Sequence, residues 1–403
     1  MSKHILVVSQ YFHPEPFRIT DMCRELVRRG YQVTVLTGIP NYPEGKFYPG
    51  YSWFKQREEI WNGVRIIRIP LIPRGNSAIG LVLNYISFVV SGFFWQMFTR
   101  VKADHVFTFE VSPMTQALIG VWYAKRRNVP HTLYVQDLWP ENVETVTGIH
   151  SRLVLGPIER MVDYIYRNCH RILATSPSFV AEIQKRVDRA EKVRYWPQYA
   201  EEFYVPQPRT SVPQIPEDGR FKLIFTGNIG KAQGLDVLPR AALYLKDAGI
   251  SDVCFVIVGG GRYKEQLLEE IKAQNTEEMF ILVDRQPAEQ IPALLAACDA
   301  AFLSFMDDPL FEKTIPAKLQ SYMACGMPVV AAAKGETERI IRDAQCGICT
   351  PIADAGTLAD GIAELKSQAD LDHLGRNAGA YFDAHFEKKK LIDELEEILQ
   401  TNE

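Results

Sequence analysis

The chain has 403 residues, of which 47% are hydrophobic and 23% charged, with a formal net charge of −4. This composition excludes a disordered, collagenous or disulfide-stapled protein, and the length calls for at least two domains. The seven scattered cysteines form no disulfide framework and fit a reducing cytoplasm. Met1-Ser2-Lys3-His4 leads straight into "ILVVS", too short for a signal-peptide core.

Charge is unevenly spread. Residues 1–200 carry 25 Lys and Arg against 16 Asp and Glu, and residues 201–403 carry 20 against 33. A basic first half points to an anionic ligand or surface on that side. No nucleic-acid module or aromatic-interleaved basic run accompanies it, so nucleic acid is not an expected partner.

In chain order, "HILVVS" reads as a buried strand, "RITDMCRELVRRG" as a helix ending at Gly30, and "YQVTVLT" as the next strand. "VRIIRI", "HVFTFE", "HTLYVQ" and "RILATS" follow as strands, with helices "MTQALIGVWYAKRR" and "RLVLGPIERMVDYIYRNC" between them. Continuous apolar strands separated by helices imply a parallel sheet covered on both faces. One segment stands apart: "AIGLVLNYISFVVSGFFWQMF", residues 78–98, has no charged residue. A buried helix, a helix on a membrane surface and a true span are all open for it.

Residues 201–219, with four prolines and no periodicity, read as a linker. The alternation then restarts with "FKLIFTG", "CFVIVGG", "MFILVD", "AAFLSF" and "PVVAAA". The expected architecture is α/β: doubly wound domains over 1–200 and 220–385. A C-terminal helix over 386–403 is expected to pack back toward the first domain. In such sheets ligands bind outside the carboxyl ends of the strands, so the default site is the cleft between the domains.

Three motifs carry candidate chemistry. In "LIFTGNIGKAQGLDVL", Gly227, Gly230 and Gly234 separate a strand from a helix, with Lys231 inside the loop. Glycines there permit close backbone approach, and the helix N-terminus favours an anion. The order of a P-loop or of a G-x-G-x-x-G fingerprint is absent, and a plain tight turn is the alternative. "VIVGGGRYKEQLLEEI" repeats the device with Gly259, Gly260, Gly261 and Arg262. In "FEKTIPAKLQSYMACGMPVV", Pro316 opens a helix and puts Lys318 in its first turn, unfavourable there unless an anion is present. Cys346 and Cys349 form a lone C-x-x-C without the further ligands a zinc site needs. No metal-binding carboxylate cluster is visible, and neither metal nor cofactor is expected.

"TIPAKLQSYMACGMPVV", "FTGNIGKAQGLD", "CDAAFLSF" and the N-terminal "YFHPEPFRITDMCRELVRRGYQVTVLTGIPNYPEGKFYPGY" resemble the retaining family 4 glycosyltransferases of GT-B fold. The nearest branch is the one acting in capsule, O-antigen and exopolysaccharide assembly. The resemblance covers nearly the whole chain. It implies two Rossmann-like domains facing across a cleft, with a nucleotide-diphosphate sugar held by the second. Gly227 and Asn228 match the family's glycine-arginine at the phosphate loop, and Gln233-Gly234 its lysine-glycine. Both basic residues are neutral here, and Lys231 and Lys318 are expected to supply the missing charge. "DRQPAEQIP" matches the base-binding stretch and places Arg285, Gln286 and Pro287 against the nucleobase. The family's paired glutamates align with Lys313 and Ser321. Glu312 lies one residue from the first position, and Ser321 is expected to bond a ribose hydroxyl.

On the acceptor side, Asp137 in "YVQDLWPEN" matches the region the family places near the transferred sugar, and Glu110 in "FTFEVSP" is a second candidate. His13 and Arg18 follow the first strand, where the family often has a glycine-rich loop. Arg18 is a candidate phosphate contact, and His13 has an equally good structural reading. The chemistry implied is retaining and metal-independent transfer from a UDP-sugar to a polyprenyl-diphosphate-linked saccharide, at the inner face of the cell membrane. The sugar expected is an N-acetylated hexosamine or deoxyhexosamine. Amides, a helix N-terminus and lysines would stabilise the leaving diphosphate, with Asp137, Glu312 and Lys318 as the catalytic set. A UDP-sugar 2-epimerase of the same architecture and a non-catalytic nucleotide-sugar-binding subunit are the competing functions.

Overall fold

The computed structural model describes residues 3–75, 77–368 and 370–400. The chain divides into two compact units. One comprises Met1–Trp196 with Ile392–Glu403, and the other Pro197–Leu391. Residues 401–403 of the expected C-terminal helix lie outside the described residues.

The first unit is built on strands β1 (His4–Val8), β2 (Gln32–Gly38), β3 (Glu58–Trp61), β4 (Val64–Ile69), β5 (His105–Glu110), β6 (His131–Val135), β7 (Arg171–Ala174) and β8 (Val193–Tyr195). Its helices are α1 (Ile19–Arg28), α2 (Ala78–Phe98), α3 (Ala117–Arg127), α4 (Glu141–Thr147), α5 (Arg152–Asn168) and α6 (Pro177–Gln184). The sheet order is β3-β4-β2-β1-β5-β6-β7-β8. Every pairing is parallel except that of β3 with β4, which run antiparallel through Asn62 and Gly63. Both turn residues have positive φ, 48° and 80°, as a two-residue hairpin turn demands. Strand β1 lies between β2 and β5, so the chain winds outward on both sides and leaves a switch point at the carboxyl end of β1.

The second unit contains β9 (Phe221–Asn228), β10 (Val253–Gly260), β11 (Phe280–Val283), β12 (Ala300–Ser304), β13 (Val329–Ala332) and β14 (Gly347–Thr350). Around them lie α7 (Val237–Asp247), α8 (Lys264–Ala273), α9 (Ile291–Ala296), α10 (Pro309–Glu312), α11 (Ala317–Ala324), α12 (Glu336–Ala344), α13 (Ala355–Gln368) and α14 (Leu371–His385). The last helix, α15 (Lys388–Gln400), contains the boundary between the units. The sheet is parallel in the order β11-β10-β9-β12-β13-β14, with its switch point at β9. Alternation sends Leu223 and Phe225 into one core, with α7, α8 and α13. Ile224 enters the other, with α9, α11 and α14.

Residues 201–219 hold no helix or strand beyond an isolated bridge between Val212 and Ile215, and they count with the second unit. Ile215 is buried in the second unit's core, and Tyr204 and Val212 pack against it. Residues Ile392 onward count with the first unit, where Arg29 pairs with Asp393 and Glu396 and Lys3 Nζ donates to the Leu399 carbonyl at 3.0 Å.

Two expectations need correction. The buried-helix reading of residues 78–98 fails, because α2 buries only Asn84, Phe88, Gly92 and Gln96. The first glycines of the two glycine-rich segments do not follow their strands: Gly259 and Gly260 are ladder residues of β10, opposite Gly227 and Asn228, which are ladder residues of β9.

Candidate active site

At the carboxyl edge of the second sheet, β9 runs on through Gly227 and Asn228 into a loop, a single helical turn over Lys231–Gln233, and then α7. The glycines answer first to packing. A Cβ on Gly259 (φ 151°) would stand 1.9 Å from the Gly227 carbonyl oxygen, and one on Gly234 (φ 57°) would stand 2.5 Å from that of Phe305. The loop after β10 docks on the loop after β9, because Ile229 N donates to Gly260 O at 3.0 Å and Tyr263 N to Ile229 O at 3.1 Å. Gly227, Asn228, Gly230, Gly260 and Arg262 are thereby brought together. Gly227, Asn228, Lys231 and Arg262 are exposed, and Gly230 is half-buried.

Lys318 joins them from the first turn of α11. Its ammonium lies 3.9 Å from the centroid of the buried Phe225 ring and donates to Oε1 of Gln233. A Cβ on Gly227 would be 3.7 Å from Nζ, so cation and glycine share one wall of the edge. Burial pulls the Lys318 pKa down to about 7, and among the described residues no carboxylate opposes that effect. Gln233 is itself held by Ser304, whose Oγ donates to its carbonyl at 2.5 Å. Ser321, largely buried, points Oγ at the Ala317 carbonyl one turn back, 3.3 Å away.

The remaining donor-side residues stand apart. Arg285, Gln286 and Pro287 follow the edge strand β11, where Gln286 Nε2 bonds the Asp284 carbonyl at 3.0 Å. Glu312 ends α10 with its side chain exposed and its carbonyl against Gly335, and it adds nothing to the electrostatics of Lys318. A cavity of about 630 Å³ lies elsewhere, at the amino ends of β9 and β12, lined in part by Arg209, Lys222, Asp299 and Lys366. Its cations are already paired: Arg209 with Asp299, Lys222 with Asp218 and Lys366 with Asp252. An anion gains more from a cation without a carboxylate partner, so Lys318 marks the better site.

In the first unit, Glu110 ends β5 and Asp137 follows β6. The Glu110 carboxyl is fully buried, with neither oxygen in a well-formed hydrogen bond, and burial with the nearby Asp137 raises its pKa well above the carboxylate range. Asp137 Oδ2 accepts the Ser112 amide at 2.6 Å, and burial raises its pKa too. Ser112 Oγ in turn accepts from Trp139 Nε1 at 3.0 Å and from Asn142 Nδ2 at 2.9 Å. Burial and the neighbouring Asp137 charge thus both favour the neutral form of the Glu110 carboxyl.

His13 belongs to a different cluster. Its ring stacks on Trp61 at 4.5 Å, its carbonyl accepts from Arg68 at 2.8 Å, and burial lowers its pKa. Arg18 caps α1 and its charge reaches Tyr134. The sequence reading missed Tyr11, Tyr42, Arg74 and Tyr85. Arg74 lies over the Tyr42 ring at 5.1 Å, and Tyr85 feels the charges of both Arg74 and Asp137. Glu15, buried and raised to about 7, fixes this corner by accepting the amides of Asn41 at 2.8 Å and Tyr42 at 2.7 Å. The available signal was weak: aromatic and basic residues in the loops after β1, β2 and β4 and on α2.

Two sheets, parallel but for the edge strand β3, each with loops gathered at a carboxyl-edge switch point, define the class to which sugar-transferring enzymes of the GT-B type belong. Residues 17–198 match the glycosyl transferase 4-like domain and residues 208–380 match glycosyl transferases group 1. The chain is a glycosyltransferase built from these two domains. It is 27% identical over 354 residues to the Escherichia coli (strain K12) glycosyl transferase WcaI, provisionally assigned to colanic acid biosynthesis, covering 83% of this chain and 84% of that one. Among solved structures it is similar in fold to sucrose-phosphate synthase from Thermosynechococcus elongatus. That match has a TM-score of 0.77 and 17% identity and covers 99% of this chain and 98% of the other. HepE of Anabaena, solved in complex with UDP and glucose, superimposes with a TM-score of 0.71 at 15% identity over the whole of both chains.

Proposed function

We propose that this glycosyltransferase moves a sugar, an N-acetylated hexosamine or deoxyhexosamine, from a UDP-sugar to a polyprenyl-diphosphate-linked saccharide in the assembly of a cell-surface polysaccharide. The observation that carries the donor half is the Lys318 ammonium at the carboxyl edge of the second sheet, held by a neutral amide and an aromatic face with no acid among the described residues to neutralise it. A diphosphate leaving group supplies the missing negative charge, and the neutral Asn228 and Gln233 leave Lys318 as its principal cation. HepE, bound to UDP and glucose, supports the choice of nucleotide. WcaI supports a surface polysaccharide.

The reaction breaks the anomeric carbon–phosphate oxygen bond, and the electron pair leaves with UDP. The acceptor hydroxyl attacks on the face the leaving group vacates, which gives retention, and its proton passes to the departing phosphate. Among the described residues no cluster of three or more His, Cys, Asp or Glu suited to a metal is found, and the proposal routes no step through one. Asp137 and Glu110 sit on the acceptor side, where their carboxyl groups suit them to bind sugar hydroxyls. The enzyme works in the cytoplasm at the inner membrane surface.

The test is incubation with a panel of UDP-sugars and a lipid-diphosphate saccharide. Transfer supports the proposal. Interconversion of sugars without acceptor favours a 2-epimerase, and binding without turnover favours a non-catalytic subunit.

A further inference from the structure

Helix α2 is inside out. Its buried positions, Asn84, Phe88, Gly92 and Gln96, fall four apart on one face and include both of its amide side chains. Two residues further round, on the opposite face, Val82, Ile86, Val90, Phe94 and Phe98 form a second four-apart stripe. All five are exposed, Phe94 by 54% and Phe98 by 75%. A helix in water buries its apolar face; this one presents it.

The rotation is not free to change. Asn84 Oδ1 accepts from Gln10 Nε2 at 2.7 Å, and its Nδ2 donates to the Ile72 carbonyl at 2.6 Å. Gly92 meets Ile119 of α3 so closely that a Cβ there would lie 2.2 Å from Ile119 Cδ1. Rolling α2 to bury its apolar stripe would strand those buried polar groups and push side chains into α3.

Charge identifies what covers the stripe. From Leu71 to Ala103 there is no Asp or Glu. Arg100, Lys102, Lys125 and Arg126 are exposed around the C-terminal end of α2, where Arg126 donates to the Gln96 carbonyl. Among the described residues none of the four has an acidic partner. A second copy packed stripe to stripe would set cations against cations, since Arg74 precedes the other end. An anionic lipid surface answers both the apolar stripe and the unpaired charges.

We propose that α2 is a bilayer-docking helix that lies flat in the interface of an anionic membrane, its stripe from Val82 to Phe98 among the acyl chains and its basic end against lipid phosphates. Its inner face stays on the protein, so it dips into one leaflet and does not span. Tyr85, next to the pinned Asn84, is close enough to Asp137 for their charges to interact, so the docked helix borders the acceptor-side residues. Resting on the lipid-linked acceptor proposed above, this gives the acceptor head group a short path from leaflet to site.

The experiment is flotation of the full chain with vesicles of phosphatidylglycerol and phosphatidylcholine in equal parts, against vesicles of phosphatidylcholine alone. The wild type binds the anionic vesicles. Val90→Ser with Phe94→Ser weakens this about tenfold or more, and Arg100→Glu with Lys102→Glu removes the preference for anionic lipid. An unchanged cooperative thermal melt, together with unchanged UDP affinity, shows that both variants fold. Transfer to a vesicle-embedded acceptor falls in the serine variant, while transfer to a short-chain, water-soluble acceptor does not. Absent vesicle binding, or binding unaffected by the serines, overturns the proposal. So does a concentration-dependent dimer of the wild type that the serines split. Vesicle binding without transfer to either acceptor would leave α2 as a docking helix and defeat the acceptor reading alone.

Discussion

The Lys318 ammonium sits 3.9 Å from the centre of the Phe225 ring, a half-buried cation on an aromatic face whose one hydrogen-bond acceptor among the described residues is the neutral Gln233. A positive charge so placed gains strongly from an arriving anion. Lys318→Ala therefore weakens UDP and UDP-sugar binding together, by about 1.5–3 kcal/mol for a charged hydrogen bond. Isothermal titration checks this, and unchanged UDP affinity removes Lys318 from the site.

The same residue sets a pH dependence. Its pKa falls from 10.5 to about 7 on folding, so between those values the unfolded chain holds a proton that the empty folded protein does not. Stability of the empty protein therefore rises with pH across that window. Bound diphosphate favours the protonated lysine, so UDP affinity falls as pH rises above about 7, by up to roughly tenfold per unit. Titration at pH 8 in buffers of different ionisation enthalpy shows proton uptake, which Lys318→Met abolishes. A dissociation constant flat from pH 7 to 9 contradicts this account.

The carboxyl pair of the first unit separates catalysis from stability. Asp137→Asn cuts turnover and leaves UDP affinity nearly intact, and an unaltered rate makes Asp137 structural. Glu110, whose pKa is raised by burial, holds its proton in the folded state where the unfolded chain has lost it, so its contribution to stability declines as pH rises. Glu110→Gln is therefore more stable than the wild type at pH 8 and equal to it at pH 4, as measured by thermal melting.

Packing of the glycine ladder gives a paired test. Gly259→Ala puts a methyl group 1.9 Å from a carbonyl oxygen at a φ of 151° and costs about 1–3 kcal/mol of stability. At its neighbour Gly260 an added methyl group would meet no atom within 4 Å, so Gly260→Ala stays close to the wild type. Equal melting points for the two variants would refute the packing argument.

The polar pin of α2 is the last. Asn84→Leu leaves the Gln10 amide and the Ile72 carbonyl buried without their partner and destabilises the first unit by about 1–3 kcal/mol. Chemical denaturation followed by tryptophan fluorescence reads this directly, and a change below about 0.5 kcal/mol would mean water replaces the side chain.

Much of the architecture was legible because buried parallel strands announce themselves. "HILVVS", "HVFTFE" and "FKLIFTG" are apolar runs that no helix period explains, and each became a strand. The hairpin through Asn62 and Gly63 was missed, although its turn residues carry the signal, because "EEIW" is an exposed edge with little apolar alternation. Lys318 was legible as a cation in a helix's first turn. The company it keeps was not, since Phe225 and Gln233 come from a strand and a turn 85 or more residues away.

The sequence by itself determined two doubly wound α/β units, the order of their strands along the chain and the residue types at each loop, because local periodicity and turn chemistry act over a few residues. Only the tertiary structure decided which of those loops meet, that Gly259 is a glycine because the Gly227 carbonyl leaves no room for a Cβ there, and that α2 turns its amides inward and its apolar stripe out. Those outcomes depend on hydrogen bonds and close contacts between residues far apart in the chain, where a single buried amide outweighs the pattern of its own helix.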